Sequence, residues 1–281
     1  MMDLAVDIGG TNLRAEISKI GLHVKSFNAK TSEVGLASWI ESILQEYPRI
    51  KTIGISYAGQ VQNGVIISSP NILIDKNDIK EYFEENYNVS LLIENDLSCA
   101  VLAEADHYQC NNICAVYVGT GLGLGVFEQG KLYRGALNIA AELGHIPYKQ
   151  TPFVCGCGRN NCIELFVSGS GIKRWSEHYN LAHKVTLDSL KISENPDENK
   201  ILNEFETALL YACGTTISLY NPEILVLGGG IIDANPYLVD GVMSRLQEFA
   251  LPQALSELKI VQSELNNAPI VGASLLKDYD G

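Results

Sequence analysis

The sequence predicts an α/β protein built as two similar halves, on three observations. Two strand–glycine-turn–strand segments stand far apart in the chain, Val6-Asp7-Ile8-Gly9-Gly10-Thr11-Asn12-Leu13-Arg14 and Val118-Gly119-Thr120-Gly121-Leu122-Gly123-Leu124-Gly125. After each segment the strands and helices follow in a similar order, which supports duplication. The length, 281 residues, is comfortable for two cores.

The elements of the first half follow from periodicity. Met2–Ile8 and Leu13–Ser18 read as a hairpin, because Leu13-Arg14-Ala15-Glu16-Ile17-Ser18 alternates with period two. His23–Ala29 is a third strand. Glu33–Tyr47 carries apolar residues at helical spacing (Val34, Leu36, Ala37, Ile40, Ile43, Leu44) and stops before Pro48. Lys51–Ala58 is a buried strand that runs into Gly59, and Val61–Ser68, with Asn63-Gly64, reads as another hairpin. A helix over Asn77–Tyr87, a strand over Ser90–Ile93 and a helix over Ser98–His107 complete the half.

The order then restarts. Ile113–Val118, Leu124–Phe127 and Lys131–Tyr133 read as strands, and Ile163–Gly171 opens a helical region. The polar stretch Asp188–Asn199 reads as a loop. Lys200–Tyr220 is a long helix ended by Asn221-Pro222. Strand Ile224–Leu227 runs into Gly228-Gly229-Gly230, followed by helix Pro236–Phe249, strand Leu258–Gln262 and helix Val271–Lys277. The domains expected from this order are 1–110 with 271–281, and 111–270.

Both glycine turns are hairpin tips. A phosphate loop of the usual kind runs strand, turn, helix, and sets the phosphate on the helix N-terminus. Here glycine would supply positive φ and let phosphate oxygens approach backbone N–H groups, while Thr11, Asn12 and Thr120 add side-chain donors. The plain alternative is a pair of tight hairpins of a type that needs glycine. Taken together, with Asp7 ending the first strand, the pair points to a nucleotide held between duplicated halves.

Composition narrows the class. A chain with 46% apolar and 19% charged residues is an ordinary globular protein. The formal net charge of −13 argues against nucleic-acid and anionic-membrane partners. No run of apolar residues is long enough for a membrane span, so a cytoplasmic protein is expected. Of seven cysteines, Cys155, Cys157 and Cys162 crowd together, and with His145 they give H-x9-C-x-C-x4-C. One His and three thiolates would make a closed tetrahedral zinc site, which is structural; the plain alternative is unligated core cysteines in a glycine loop. The remaining Cys99, Cys110, Cys114 and Cys213 read as buried apolar residues.

The ordered motifs resemble those of the ROK family of bacterial and archaeal sugar kinases. They are Asp7-Ile8-Gly9-Gly10-Thr11, Glu94-Asn95-Asp96, Gly119-Thr120-Gly121-Leu122-Gly123, Glu142-Leu143-Gly144-His145, Cys155-Gly156-Cys157-Gly158 through Cys162-Ile163-Glu164, and Leu227-Gly228-Gly229-Gly230. The resemblance implies duplicated actin-like (ribonuclease H-like) ATPase domains, each a mixed sheet flanked by helices, with a cleft between them. It implies that the last helix packs back on the first domain. The family also includes repressors with an N-terminal DNA-binding domain; because this chain starts at the first glycine hairpin, the kinase branch is expected.

The implied chemistry is ATP-dependent phosphoryl transfer to a sugar hydroxyl, which needs phosphate positioning, a metal and an oriented acceptor. Gly9, Gly10, Thr11 and Asn12, with Gly119, Thr120, Gly121 and Gly123, would grip the phosphates. Asp7 would hold hydrated Mg²⁺ or, more plainly, cap a turn. Gly228, Gly229 and Gly230 would pass the adenine or ribose, or simply turn a strand into a helix. Asn95 and Asp96 suit a helix N-cap; the resemblance makes Asp96 the base and Asn95 a sugar ligand. An Asp at its ordinary pKa near ~3.9 is a weak base, tolerable where the hydroxyl acidifies late. Glu142, His145 and Glu164 would contact the sugar hydroxyls, although carboxylates there also serve as surface or capping charges. Gly59 and Asn71 would line the sugar site. Two departures from the family pattern lie there: Tyr57-Ala58-Gly59 has no proline before the glycine, and Ser69-Pro70-Asn71-Ile72-Leu73 has no tryptophan a few residues on.

The resulting expectation is a hexose kinase using ATP with Mg²⁺ and a structural Zn²⁺, with glucose as the leading substrate. N-acetylmannosamine, N-acetylglucosamine and fructose are rivals. A homodimer or higher homo-oligomer is the default assembly. The rival classes are a non-catalytic sugar-sensing regulator and a chaperone-type or filament-forming ATPase.

Overall fold

The computed structural model describes residues 2–68, 72–182 and 185–279. It divides into two compact units, Met1–Gln109 with Lys131–Ala140 and Leu265–Gly281, and Cys110–Gly130 with Ala141–Glu264. The segment 131–140 thus groups with the first unit, although the strand pattern had placed it in the second.

In the first unit, β1 (Met2–Ile8), β2 (Asn12–Lys19) and β3 (Leu22–Lys30) form a meander. Helix α1 (Leu36–Glu46) leads to β4 (Ile50–Tyr57), and a small ribbon, β5 (Val61–Gln62) with β6 (Val65–Ile66), precedes α2 (Ile79–Tyr87). β7 (Ser90–Asn95) passes directly into α3 (Asp96–Tyr108). The sheet order is β3-β2-β1-β4-β7, with β1 antiparallel to β2 and parallel to β4, and β4 parallel to β7.

Alternation along the strands explains the layers. Leu4, Val6, Ile8, Ile53, Ile55, Leu91 and Ile93 lie in one core with Leu36, Ile40 and Ile43 of α1. The opposite face of β4 carries Gly54 and Ser56. A Cβ at Gly54 would fall 1.9 Å from the Ala273 carbonyl of the last helix, α10 (Ala268–Tyr279). A Cβ at Gly272 would fall 1.8 Å from the Cys99 carbonyl of α3. These two glycines let α10 lie against the sheet and α3, so the last helix does pack back on the first unit. Lys277 Nζ also reaches Asp3 Oδ2 of β1 at 2.6 Å.

In the second unit, β8 (Ile113–Val118) pairs antiparallel with β9 (Leu122–Glu128). β10 (Lys131–Leu132) opens the segment that belongs to the first unit. The helices α4 (Gly169–His178), α5 (Leu187–Lys191) and α6 (Pro196–Tyr220) come next. Then β11 (Ile224–Gly228), α7 (Gly230–Ala234), α8 (Tyr237–Arg245), α9 (Pro252–Leu255) and β12 (Lys259–Gln262) complete the unit. β11 runs parallel to β8 and to β12. The series β9-β8-β11-β12 therefore repeats β2-β1-β4-β7, an antiparallel hairpin followed by two parallel strands. The α/β fold with duplicated mixed sheets is as expected.

The stretch 188–199, expected as a loop, is largely helical, with only 192–195 as a connection between α5 and α6. Thr186 and Ser189 cap α5 reciprocally, and Asn195 caps α6 with Pro196 as its first residue. Among the described residues, no helix is long and apolar enough to cross a membrane.

Candidate active site and metal centre

In the first unit the site grows from the ends of parallel strands. Asp7, Ser56 and Glu94 are register partners across β1, β4 and β7, so their side chains share one face of the sheet. Ser56 Oγ donates to Asp7 Oδ1 at 3.0 Å. Burial raises the Asp7 carboxyl above its ordinary range, against the Ser56 hydrogen bond and the charge of Arg14. Glu94, 8% exposed, takes the Arg134 Nε–H on Oε1 and the Asn138 amide on Oε2.

Asn95 and Asp96 stand where β7 becomes α3. Asn95 does cap the helix: its Oδ1 accepts from Leu97 N at 2.9 Å and from Ser98 N at 3.4 Å. Its Nδ2 donates to the Gly59 carbonyl at 3.2 Å, which brings two of the expected sugar ligands together. Asn71 lies outside the described residues. Asp96 Oδ1 accepts from Leu97 N at 3.0 Å. Burial, and then the charge of Asp7, push the Asp96 carboxyl up to about 7, against these hydrogen bonds. The ordinary value assumed from sequence is thereby corrected. Asp96 is a better base than an isolated Asp, because desolvation and a like charge both disfavour its ionised form.

The glycine turns hold a second correction. None of Gly9, Gly10, Gly119 and Gly121 has a positive φ, so these hairpins do not need glycine for a left-handed turn. What they show is space. A Cβ on Gly10 or Gly119 would meet nothing within 4 Å. At Gly121 it would fall 2.5 Å from Glu164 Oε2. Gly229 is the residue that does require glycine: its φ is +90°, and a Cβ would sit 2.7 Å from the Val118 carbonyl.

In the second unit the loop between β8 and β9 is pinned from beneath. The Gly119 and Thr120 carbonyls accept from Gly169 N at 2.8 Å and Ser170 N at 3.1 Å, at the start of α4. Glu164 Oε2 accepts from Leu122 N at 3.1 Å. The tight turn Leu143–His145 is held against β9 because a Cβ at Gly144 would fall 2.4 Å from the Leu122 carbonyl. The His145 ring faces two ways. Its Nδ1 is 3.6 Å from Cys155 Sγ, and its Nε2 is 3.8 Å from Glu142 Oε2. Desolvation raises the Glu142 carboxyl, His145 opposes this and Glu164 adds to it.

His145, Cys155, Cys157 and Cys162 converge, their ligand atoms all within 4.8 Å of one another. Cys157 Sγ and Cys162 Sγ are 3.3 Å apart. The Arg159 backbone N–H, which bonds the Cys157 sulfur, lowers that thiol to about 6. Burial raises Cys155, and pushes Cys162 up to about 12. One imidazole and three thiols, gathered by a knuckle that turns at Gly158 (φ +89°), fit a zinc-type ion. Cys155 Sγ also lies 3.7 Å from Glu164 Oε1, so the cluster touches the carboxylate that supports the glycine loop. Cys99, Cys110, Cys114 and Cys213 are buried, as expected, and are not among the four converging residues.

Periodicity gave no sign of Ser56, Arg134 or Asn138. Ser56 hides inside an apolar strand, and Arg134 and Asn138 reach Glu94 only through tertiary structure.

A family model described as ROK matches residues 3–279. A glucokinase of Thermotoga maritima is 27% identical over 317 residues, spanning 99% of this chain and 98% of the relative. An N-acetylmannosamine kinase of Vibrio cholerae is 28% identical over 269 residues, spanning 90% and 93%. A xylose repressor of Bacillus spizizenii is 25% identical over 265 residues, spanning 90% of this chain and 68% of the repressor. Among solved structures, a ROK hexokinase from Thermus thermophilus superposes with a TM-score of 0.82 at 24% identity, covering 100% of both chains. A ROK glucokinase from Streptomyces griseus, in complex with glucose and AMPPNP, gives 0.78 at 23% identity, covering 98% of this chain and 99% of that one. With the two-unit fold, the family model carries the assignment across nearly its whole length, and the chain belongs to the ROK family.

Proposed function

We propose that the chain is an ATP-dependent hexose kinase that transfers the γ-phosphoryl group to a sugar hydroxyl, with glucose at O6 as the leading acceptor. The observation that carries this reading is Asp96 at the head of α3, with a pKa of about 7 beside the carboxylate of Asp7. A base tuned near neutrality suits removal of a hydroxyl proton as the O–P bond forms.

In this reading Asp96 accepts the sugar proton, and Asn95 and Gly59, with Glu142, His145 and Glu164, bind ring hydroxyls; Asn71, outside the described residues, joins them on the family resemblance alone. Asp7 would hold hydrated Mg²⁺, whose charge the acid-rich row Asp7, Glu94 and Asp96 would balance. The open turns at Gly9–Asn12 and Gly119–Gly123 meet phosphate oxygens, and Gly228–Gly230 pass the nucleoside. His145, with Cys155, Cys157 and Cys162, would hold a structural Zn²⁺ through Nδ1, leaving Nε2, which faces Glu142, for the sugar. When bound, the zinc supplies rigidity to the Glu142–Glu164 segment.

The N-acetylmannosamine kinase relative supports that amino sugar as a rival acceptor, and the xylose repressor supports a sugar-sensing regulator. A coupled ADP-release assay over hexoses and N-acetylhexosamines decides among them. Saturable, sugar-dependent release is expected; no release with any sugar contradicts the kinase reading and favours the regulator.

A further inference from the structure

We propose that Arg134 and Asn138 are positioning residues for the Asn95–Asp96 turn, acting through Glu94. The inference rests on the kinase reading above and adds residues that the proposed chemistry does not use.

Glu94 precedes the two site residues and is nearly enclosed, at 8% exposure. Both of its oxygens are held by one segment, 131–140. Arg134 donates its Nε–H to Oε1, and Asn138 Nδ2 donates to Oε2 at 3.2 Å. The same Asn138 amide reaches the Val61 carbonyl at 2.9 Å, on the ribbon that follows Gly59. The segment is itself a set loop: Ala140 N donates to the Arg134 carbonyl at 3.3 Å. Gly135 and Asn138 both have positive φ, +66° and +57°, and Asn accepts that conformation more readily than most residues.

The physical case is charge and direction. Asp7 on β1, Glu94 on β7 and Asp96 at the head of α3 bring three carboxylates to one end of the sheet, and Ser56 between Asp7 and Glu94 offers a single hydroxyl. A buried carboxylate without a partner moves or protonates. Arg134 compensates Glu94, and a guanidinium with a fixed fork also fixes the direction of the carboxylate. With Glu94 held, the end of β7 is held, and so is the Asn95 side chain that caps α3 and bonds Gly59. A displacement of about 1 Å at a reacting group lowers turnover by about 100-fold, so a loosened turn should appear in kcat.

The test uses Arg134→Met, Arg134→Lys and Asn138→Asp, which sets a second carboxylate against Glu94. Kinetics are paired with amide hydrogen exchange at Leu97 and Ser98, whose N–H groups bond to Asn95. Arg134→Met should lower kcat about 10- to 100-fold with KM for ATP within about 2-fold, and should speed exchange at both amides. Arg134→Lys should restore protection and most of kcat, and Asn138→Asp should lower kcat about 10-fold. If Arg134→Met does not fold, Asn138→Asp against Arg134→Lys carries the same comparison. Faster exchange with normal kcat, or lost kcat with unchanged exchange, overturns the proposal. If the wild type phosphorylates no sugar, the kinase reading fails, and the exchange arm alone judges the clamp: unchanged protection overturns it.

Discussion

The two glycine hairpins have the same strand pattern and different surroundings. The first, at Gly9–Asn12, stands at the head of a row of carboxylates: Asp7 bonded by Ser56, Glu94 alongside, and Asp96 repelled by Asp7. The second, at Gly119–Gly123, has no acid in the turn. It is braced from behind by the start of α4 and by Glu164, which the cysteine cluster touches in turn. One hairpin is set in charge and the other in scaffold. The duplicated element supplies the same backbone twice, and each copy takes its chemical character from what it is packed against.

Removing the charge side should have the largest effect. Asp96→Asn should lower kcat by at least ~100-fold with little change in sugar binding, measured by steady-state kinetics and sugar titration. In the wild type, kcat/KM should fall as pH drops through about 7, because protonated Asp96 is no longer a base. A flat profile between pH 6 and 8 (on the order of one unit either side of that value) would break the assignment of Asp96.

On the scaffold side, Cys155→Ser should lose most of the bound metal. Wild-type protein prepared without added metal should hold about one zinc per chain. The variant should raise the sugar KM by about 10-fold through Glu142 and Glu164, with a smaller effect on kcat. Folded, fully metal-free wild type would remove zinc from the account. Gly121→Ala should be milder. Its methyl collides with Glu164 Oε2, the end of a side chain that can shift, so a loss of about 10-fold or less in kcat/KM is expected. Gly10→Ala meets open space, so any loss there reports a ligand rather than the fold.

The smallest effect is on stability. The Asp96 pKa is raised on folding, so the folded state binds the proton more tightly than the unfolded chain between the ordinary value and about 7. Stability then falls as pH rises through that window. Asp96→Asn abolishes the penalty and should raise Tm by a few degrees at pH 8 (about one unit above the folded value). That gain should fade toward pH 4, where Asp96 is protonated in the folded protein.

Most of the frame was legible in the sequence because it is written locally. Alternation at Leu13–Ser18 separated a hairpin from a helix, and the spacing from His145 to Cys162 pointed to the four side chains that converge. What failed was long-range or masked by polarity. The Asp96 pKa depends on Asp7, a neighbour only through the β1-β4-β7 register. Arg134 likewise reaches Glu94 from far along the chain, 40 residues away. Asn195-Pro196 is a helix start in an otherwise polar run, and the polarity hid it. Of the two properties expected of the hairpin glycines, positive φ is absent at Gly9, Gly10, Gly119 and Gly121, while Gly10 and Gly119 do leave open space over the backbone.

The measurement that tests the kinase reading most directly is ³¹P NMR of zinc-replete protein incubated with ATP, Mg²⁺ and a hexose. A sugar phosphomonoester resonance growing together with ADP, and absent with Asp96→Asn, is the predicted result. Inorganic phosphate alone would mark an ATPase without a sugar acceptor, and unchanged ATP across the sugar panel would mark a sensor; either would contradict the account.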